Sequence, residues 1–271
     1  MSDNSPDVNF SGSIPKAYDR CLGPLLFEWS AEDMAARVAA FSPRRVLEIA
    51  AGTGILTRHL ATSLDDAEII ATDLNQAMLD HAAVVNGSLP NVTYAQADAL
   101  DLNFEDSGFD AVVCQYGIMF FPDKAKGMAE MTRMLRPGGM LALNVWDDFA
   151  ANPAVAIVDR VIKSHFASDP PRFLEAPFSM SDKDEVIALF EGAGLVDVAS
   201  SRVTRSQTAE HMDVALGLVT GNPTINEIQS RPDVDPDKVV RAAADALEAE
   251  FGPSPAAMPF AQVVYSGVRP F

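Results

Sequence analysis

The stretch Val46-Leu47-Glu48-Ile49-Ala50-Ala51-Gly52-Thr53-Gly54-Ile55-Leu56-Thr57 passes from an apolar strand through a Gly-x-Gly turn into a helix start. Few local patterns constrain a chain more. Glycine admits positive φ and lets a ligand approach the backbone, and a helix start presents amides that no helix carbonyl accepts. The next apolar run, Ile69-Ile70-Ala71-Thr72, ends in Asp73, 21 residues after Gly52. A carboxylate at that spacing can accept both hydroxyls of a ribose, as an adenosine-containing cofactor requires.

The same alternation continues around this segment. Apolar periodicity predicts strands at 45–50, 68–73, 92–96, 110–115 and 140–146, separated by helices at 55–63, 76–86 and 124–135, with Arg136-Pro137-Gly138-Gly139 as a helix stop. Strands alternating with helices imply a parallel sheet covered on both faces, with ligands at the carboxyl ends of the strands. Upstream, a helix at 31–41 with Ser30 as N-cap stops at Ser42-Pro43. Downstream the spacing predicts helices at 152–166, 181–193 (capped by Ser181, with Asp184 three residues on), 209–218 and 236–251, and strands at 196–205 and 261–268.

Two cofactor classes fit the loop and its acid. A dinucleotide needs a third small residue three positions after the second glycine, where this chain has Thr57, and there is no Tyr-x-x-x-Lys pair. A lone strand-to-helix turn of this kind can also be a tight turn and nothing more. Asp98, in Gln96-Ala97-Asp98-Ala99, stands after the third strand, where a carboxylate beside a free amide can read an adenine edge or serve as a plain turn acid. After the fourth strand comes Cys114-Gln115-Tyr116-Gly117, and Phe120 and Phe121 beyond it read as core packing.

Together, Glu48-x-Ala50-x-Gly52-x-Gly54, Asp73, Asp98-Ala99, Phe109-Asp110-Ala111-Val112-Val113 leading to Gln115, and Leu135-Arg136-Pro137-Gly138-Gly139 resemble a class I S-adenosylmethionine-dependent methyltransferase. The likeness is to the ubiquinone/menaquinone-biosynthesis C-methyltransferase type and covers roughly residues 14–146. It implies an α/β, Rossmann-like, doubly wound, seven-stranded and mostly parallel sheet with helices on both faces and a helical substrate cap. The chain would form a single domain. Residues 1–44 make an N-terminal helical cap segment, 45–146 the cofactor-binding core, 147–195 and 207–257 helical substrate-cap segments, and 196–206 and 258–271 the final strands. The implied cofactor is S-adenosyl-L-methionine, with S-adenosyl-L-homocysteine as product. The implied contacts are Glu48, Ala50, Gly52, Thr53 and Gly54 around the methionine moiety and ribose, Asp73 on the ribose, Leu74 and Met78 against adenine, Asp98 and Ala99 on its edge, Gln115 beneath the methionine portion, and Tyr18 closing over the cofactor. Ala50 stands where many members have glycine, and alanine fits there if its φ is negative.

Methyl transfer from a sulfonium asks mainly for alignment in a dry site, so no catalytic triad is required. Tyr116, His165 and His211 are the candidates for a proton acceptor or a substrate hydrogen bond; His165, at a helix end, also reads as a dipole partner. Trp146, ending the fifth strand, is placed to line a substrate pocket, whereas Trp29 reads as core. Two other function classes stay open at this stage: a cofactor-binding module without methyl transfer, favoured if Tyr116 or Trp146 closes the site over Gln115, and a dinucleotide oxidoreductase.

Charge narrows the partners. With 38 acidic against 20 basic side chains the net charge is −18, which repels nucleic acid and anionic membranes. Five acids and no Lys or Arg lie between Asn91 and Pro122, which suits a sulfonium cofactor and a neutral or cationic small-molecule acceptor. No apolar run is long enough for membrane insertion, and the N-terminus lacks the order of a signal peptide, so the chain reads as cytoplasmic. Cys21 and Cys114 read as reduced thiols, no metal-ligand spacing is present, and a monomer or homodimer is expected.

Overall fold

The structure is a computed structural model that describes the backbone from Tyr18 to Phe271 and the side chains from Leu22 onward. A π-helical segment, Tyr18–Phe27, runs directly into helix α1 (Glu28–Phe41). The core then alternates: β1 (Arg45–Ile49), α2 (Ile55–Ser63), β2 (Glu68–Asp73), α3 (Gln76–Asn86), β3 (Val92–Gln96), β4 (Phe109–Gln115), α4 (Lys124–Met134) and β5 (Leu135–Trp146). After it come α5 (Pro153–Ser164), α6 (Lys183–Gly192), β6 (Val196–Ala209), α7 (His211–Thr220), α8 (Thr224–Gln229), α9 (Pro236–Phe251) and β7 (Ala256–Val268).

The seven strands form one sheet in the order β3-β2-β1-β4-β5-β7-β6, parallel except for β7, which is antiparallel to both of its neighbours. This is the expected architecture. The order reverses direction between β1 and β4, and the crevice above that switch point is where ligands of such sheets sit. The central strands are apolar on both faces, with Val46, Leu47, Ala111, Val112 and Val113 fully buried, because helices cover both sides. Edge strands β3 and β6 are more exposed.

Several local expectations are corrected. Helix α1 begins at Glu28 rather than after a cap at Ser30, since the π-helical segment feeds it without a break and Ser30 turns its hydroxyl into the core. The cap of α6 is Asp182, which accepts the amides of Asp184 and Glu185, instead of Ser181. The segment 136–139 follows the end of α4 as expected, but the fifth strand begins before it rather than after it. The segment belongs to β5, whose register shifts against β4 and whose Gly138 (φ +76°) donates its amide to Arg269 O at 2.8 Å. Strands β6 and β7 are each longer than expected and pair as far as Ala209 opposite Ala256, which moves the strand boundaries at 206 and 258 outward. The short helix α8 carries too few residues for a period to show in the sequence.

Helices α5, α7 and α9 pack on one another, and α7 also packs on the Tyr18–Phe27 segment, so the two stretches expected to form a cap meet. Asn152 fastens this cap to the sheet. Its amide nitrogen donates to the Ala261, Asp148 and Asp147 carbonyls, and its oxygen accepts the Ala261 amide at 2.9 Å. Asn152→Ala strands these buried backbone groups and is expected to lower stability by about 1–3 kcal/mol in urea unfolding. An unchanged midpoint would show that Asn152 is not the fastening.

Candidate active site

Above the switch point lies a cavity of about 300 Å³, in the range of small-molecule sites. Its floor is the turn after β1. Ala50 (φ +56°), Gly52 (φ +57°) and Gly54 (φ +77°) are all left-handed, so the condition set for Ala50, a negative φ, is not met. A non-glycine residue persists in that region only where its surroundings over-determine it. Here the Ala51 amide donates to Thr72 O at 2.8 Å, and Gly117 lies so close that a Cβ on it would stand 2.5 Å from Ala50 Cβ. A Cβ on Gly54 would strike Asn86 and Ala82, whereas one on Gly52 would meet no protein atom within 4 Å. The backbone at Gly52 therefore faces open cavity.

Asp73 ends β2 and is 8% exposed. Its Oδ2 accepts the Gly52 amide at 2.9 Å and its Oδ1 the Asn75 amide at 2.8 Å, so one carboxylate ties the glycine turn to the start of α3. Burial raises its pKa, and the backbone amides partly oppose that shift. Glu48 is buried beneath the turn and accepts the Thr57 hydroxyl at 2.7 Å; burial and the nearby Asp73 push its pKa up to about 8 against that hydrogen bond. Thr57, the residue that argued against a dinucleotide, thus has its own polar partner under the loop.

Ala50, Gly52, Thr53, Asp73, Leu74, Met78, Asp98, Ala99, Gln115 and Glu48 all line this cavity. Leu74 stands half exposed at its mouth, and Met78 is buried behind it. Asp98 behaves as a turn acid, its Oδ1 accepting the Leu100 amide at 2.8 Å, and still faces the cavity. Gln115 has a buried side-chain oxygen with no hydrogen-bond partner among the described residues. Gly54 lies below the lining, and the Tyr18 side chain is outside the described residues.

Among the described residues no lysine, arginine or histidine lines the cavity, and Asp73 and Asp98 give it negative potential, while burial keeps Glu48 protonated near neutral pH. Of the acidic run only Asp98 lines the cavity, joined there by Asp73, as the sequence reading assigned them. Asp110 sits at the far end of β4, accepting the Arg44 and Arg45 amides and pairing with Arg136, and Asp106 pairs with Arg133.

A second, smaller pocket of about 70 Å³ adjoins the first, and Phe27, Tyr116 and Phe120 line both. Its walls are aliphatic and aromatic, and its polar side chains are those of Tyr116 and Asn222. Trp146 lies in this wall as expected, stacked on Tyr116 with centroids 4.2 Å apart. Phe120 and Phe121 pack against the core as expected and also line the first cavity, which the sequence did not show, and Phe120 stacks on Phe173. Trp29 is buried away from both pockets.

The three candidate proton acceptors separate. Tyr116 is at the site, with its hydroxyl donating to Gln262 Oε1 at 2.9 Å. His165 lines neither pocket and bonds Val161 O at 2.9 Å. His211 also lines neither and is buried at the start of α7. Ser30, Phe27, Phe173 and Phe178 are site residues that sequence reasoning missed. The phenylalanines lie in π and 3-10 segments whose spacing carries no helix period, and Ser30 mimics a cap.

The cavity fits an adenosylated sulfonium. Asp73 presents a carboxylate beside an open glycine backbone, Gln115 holds an unpaired acceptor, Leu74 and Met78 offer an apolar face, and no cation among the described residues opposes a positive sulfur. Ionising Glu48 near Asp73 costs free energy in the folded state, which therefore holds one proton more than the unfolded chain from about pH 4.5 to about 8. That contribution lowers stability by up to about 1.4 kcal/mol per pH unit as pH rises through this window. Urea unfolding of Glu48→Gln between pH 5 and 7.5 is expected to show a flatter slope than wild type; equal slopes would contradict the assignment.

Comparison with known proteins agrees with this geometry. Residues 46–139 match a family described as a methyltransferase domain. The demethylmenaquinone methyltransferase of Deinococcus radiodurans is 37% identical over 139 residues, 51% of this chain, and the match spans about half of that relative, 56%. The enzyme of that name from Staphylococcus aureus is 27% identical over 222 residues, covering 74% of this chain and 89% of its own length. A structure of Haemonchus contortus phosphoethanolamine N-methyltransferase 2 in complex with S-adenosyl-L-methionine superposes with TM-score 0.57 at 18% identity, over 95% of this chain and 57% of that one, and shows the shared fold. No helix among the described residues is long and apolar enough to cross a membrane. The chain thus carries a methyltransferase domain over residues 46–139 and is similar, over longer stretches, to demethylmenaquinone methyltransferases.

Proposed function

We propose that the protein transfers a methyl group to a neutral, apolar small molecule. The observation that carries this is the aromatic pocket sharing Phe27, Tyr116 and Phe120 with the acid-lined cavity. When bound, S-adenosylmethionine supplies a methyl group on a positively charged sulfur, which leaves as a neutral thioether on in-line attack. Asp73 would hold the ribose hydroxyls, the Gly52 backbone and Thr53 the methionine portion, Leu74 and Met78 the adenine face, Asp98 and Ala99 its edge, and Gln115 an amino group. Glu48 supports the turn from beneath.

The acceptor would enter the second pocket, where Phe27, Trp146, Phe173 and Phe178 exclude water and desolvate the nucleophile. No carboxylate, imidazole or amine among the described residues lines that pocket, so nothing there would compensate a buried charge on the acceptor. This narrows the acceptor from neutral or cationic to neutral. It also asks for a nucleophile that loses its proton readily or after transfer, since Tyr116 is engaged and both histidines lie elsewhere. The relatives' name, demethylmenaquinone methyltransferase, denotes an acceptor of this kind. A module that binds the cofactor without transfer is less well supported, because a pocket remains behind Tyr116.

Incubation with methyl-labelled cofactor should move label into small apolar acceptors, simple phenols among them, and not into phosphoethanolamine or primary amines. Label confined to the charged acceptors, or none transferred, would refute the proposal. Calorimetric titration of Asp73→Ala should weaken S-adenosylhomocysteine binding by roughly tenfold or more, the scale of a lost hydrogen bond to a charged group.

A further inference from the structure

Tyr116 is one of three residues, with Phe27 and Phe120, that line both cavities, and its side chain is held from several directions. The hydroxyl donates to Gln262 Oε1 at 2.9 Å and lies 2.9 Å from Ser30 Oγ, which has its own proton to give. Asn144 completes the group: its amide nitrogen donates to Ser30 Oγ at 2.9 Å and to Gln262 Oε1, and its oxygen accepts the Tyr116 amide at 3.2 Å. Ser30, Asn144 and Gln262 are fully buried. They come from α1, β5 and β7, so the phenol is anchored to cap and sheet together. One ring face is covered by Trp146, nearly parallel at 7°, and Phe27 meets the ring edge-on at 5.6 Å.

The backbone adds its own constraint. Tyr116 has φ +53°, which a residue with a large side chain adopts only when its neighbours require it. The residue after it, Gly117, has no room for a Cβ against Ala50 and Cys114. The turn that carries Tyr116 is thus seated on the turn that floors the first cavity.

We propose that Tyr116 is the specificity-determining residue of the acceptor pocket: its ring is a fixed partition that limits the size of the molecule able to approach the cofactor cavity, and its hydroxyl serves to hold that partition rather than to accept a proton. The proposal rests on the functional reading above. The pocket it bounds, about 70 Å³, is roughly the liquid share of two to three waters. Beyond the ring lies about 300 Å³. Removing the ring should merge the two, whereas removing only the hydroxyl should leave the partition in place.

The test uses the full chain in a Trp29→Phe background, so that fluorescence reports Trp146 alone. Phenol and 1-naphthol are titrated into this parent and into its Tyr116→Phe and Tyr116→Ala variants. The affinity ratio of 1-naphthol to phenol is expected to rise by about tenfold or more in Tyr116→Ala and to stay within about threefold of the parent in Tyr116→Phe, since an enlarged apolar cavity takes up apolar rings. In the methyl-transfer assay Tyr116→Phe should keep the wild-type pH profile. The proposal is overturned if Tyr116→Ala leaves the ratio unchanged or binds neither probe, if Tyr116→Phe shifts it as far as Tyr116→Ala does, or if Tyr116→Phe loses a limb of the pH profile. Tyr116→Leu, which also removes the ring, carries the same test should Tyr116→Ala fail to fold. A parallel titration of S-adenosylhomocysteine into the parent tests the functional reading by itself: failure there with the expected probe shift would refute the cofactor assignment and leave the partition standing.

Discussion

The carboxylate of Asp73 accepts the Gly52 amide on one oxygen and the Asn75 amide on the other. Two turns that leave the ends of β1 and β2 are thereby held at a fixed separation, with the crevice of the sheet between them. The left-handed residues Ala50, Gly52 and Gly54 depend on this tether and on the close seat of Gly117, because none of that backbone is part of a ladder. A single buried acid thus both shapes the floor of the cavity and presents charge to it. Burial of such a group is costly unless it is hydrogen-bonded, and the amides it accepts are the compensation.

A second polar cluster does for the cap what Asp73 does for the loop. Ser30, Tyr116, Asn144 and Gln262 join the first long helix to β5, β7 and the turn after β4 through buried hydrogen bonds. Three of its donors converge on Gln262 Oε1, which ties the helix, the turn and the strands to one acceptor, while Gln262 Nε2 has no partner among the described residues. Cap and core are therefore positioned by side chains whose partners lie up to 232 residues apart. The aromatic residues around that cluster then form the apolar pocket without any charge of their own.

The sheet was legible because strand and helix periods are local. Helices α2, α3 and α9 and strands β2 and β3 fall on the residues their patterns predict, and Gly52, Asp73 and Asp98 stand at strand ends where order alone puts them. What was not legible depends on contacts across the chain. Ser30 carries the composition of a cap, and only the π-helical segment before it shows that no cap is needed. Phe120 and Phe121 look like core, and their exposure to a cavity is decided by the distant Phe173 and the turn at Gly117. The sign of φ at Ala50 follows from Gly117 and Thr72, neither of which is near it in sequence. The pairing of acidic residues is hidden in the same way: Asp106 and Asp110 are paired with arginines away from the site, a fact that charge counting does not contain.

Architecture and chemistry meet in one arrangement: an acid-lined cavity for a cation, an aromatic pocket for a neutral partner, and Tyr116 between them with Phe27 and Phe120. The most direct measurement of that arrangement is a crystal structure with S-adenosylhomocysteine bound. The account predicts ribose hydroxyls on the Asp73 carboxylate while the Gly52 amide keeps its bond to the same group, adenine between Leu74 and Asp98, and the sulfur facing Tyr116 and the aromatic pocket. A ligand seated elsewhere on the sheet, or an Asp73 side chain turned away from it, would contradict the account.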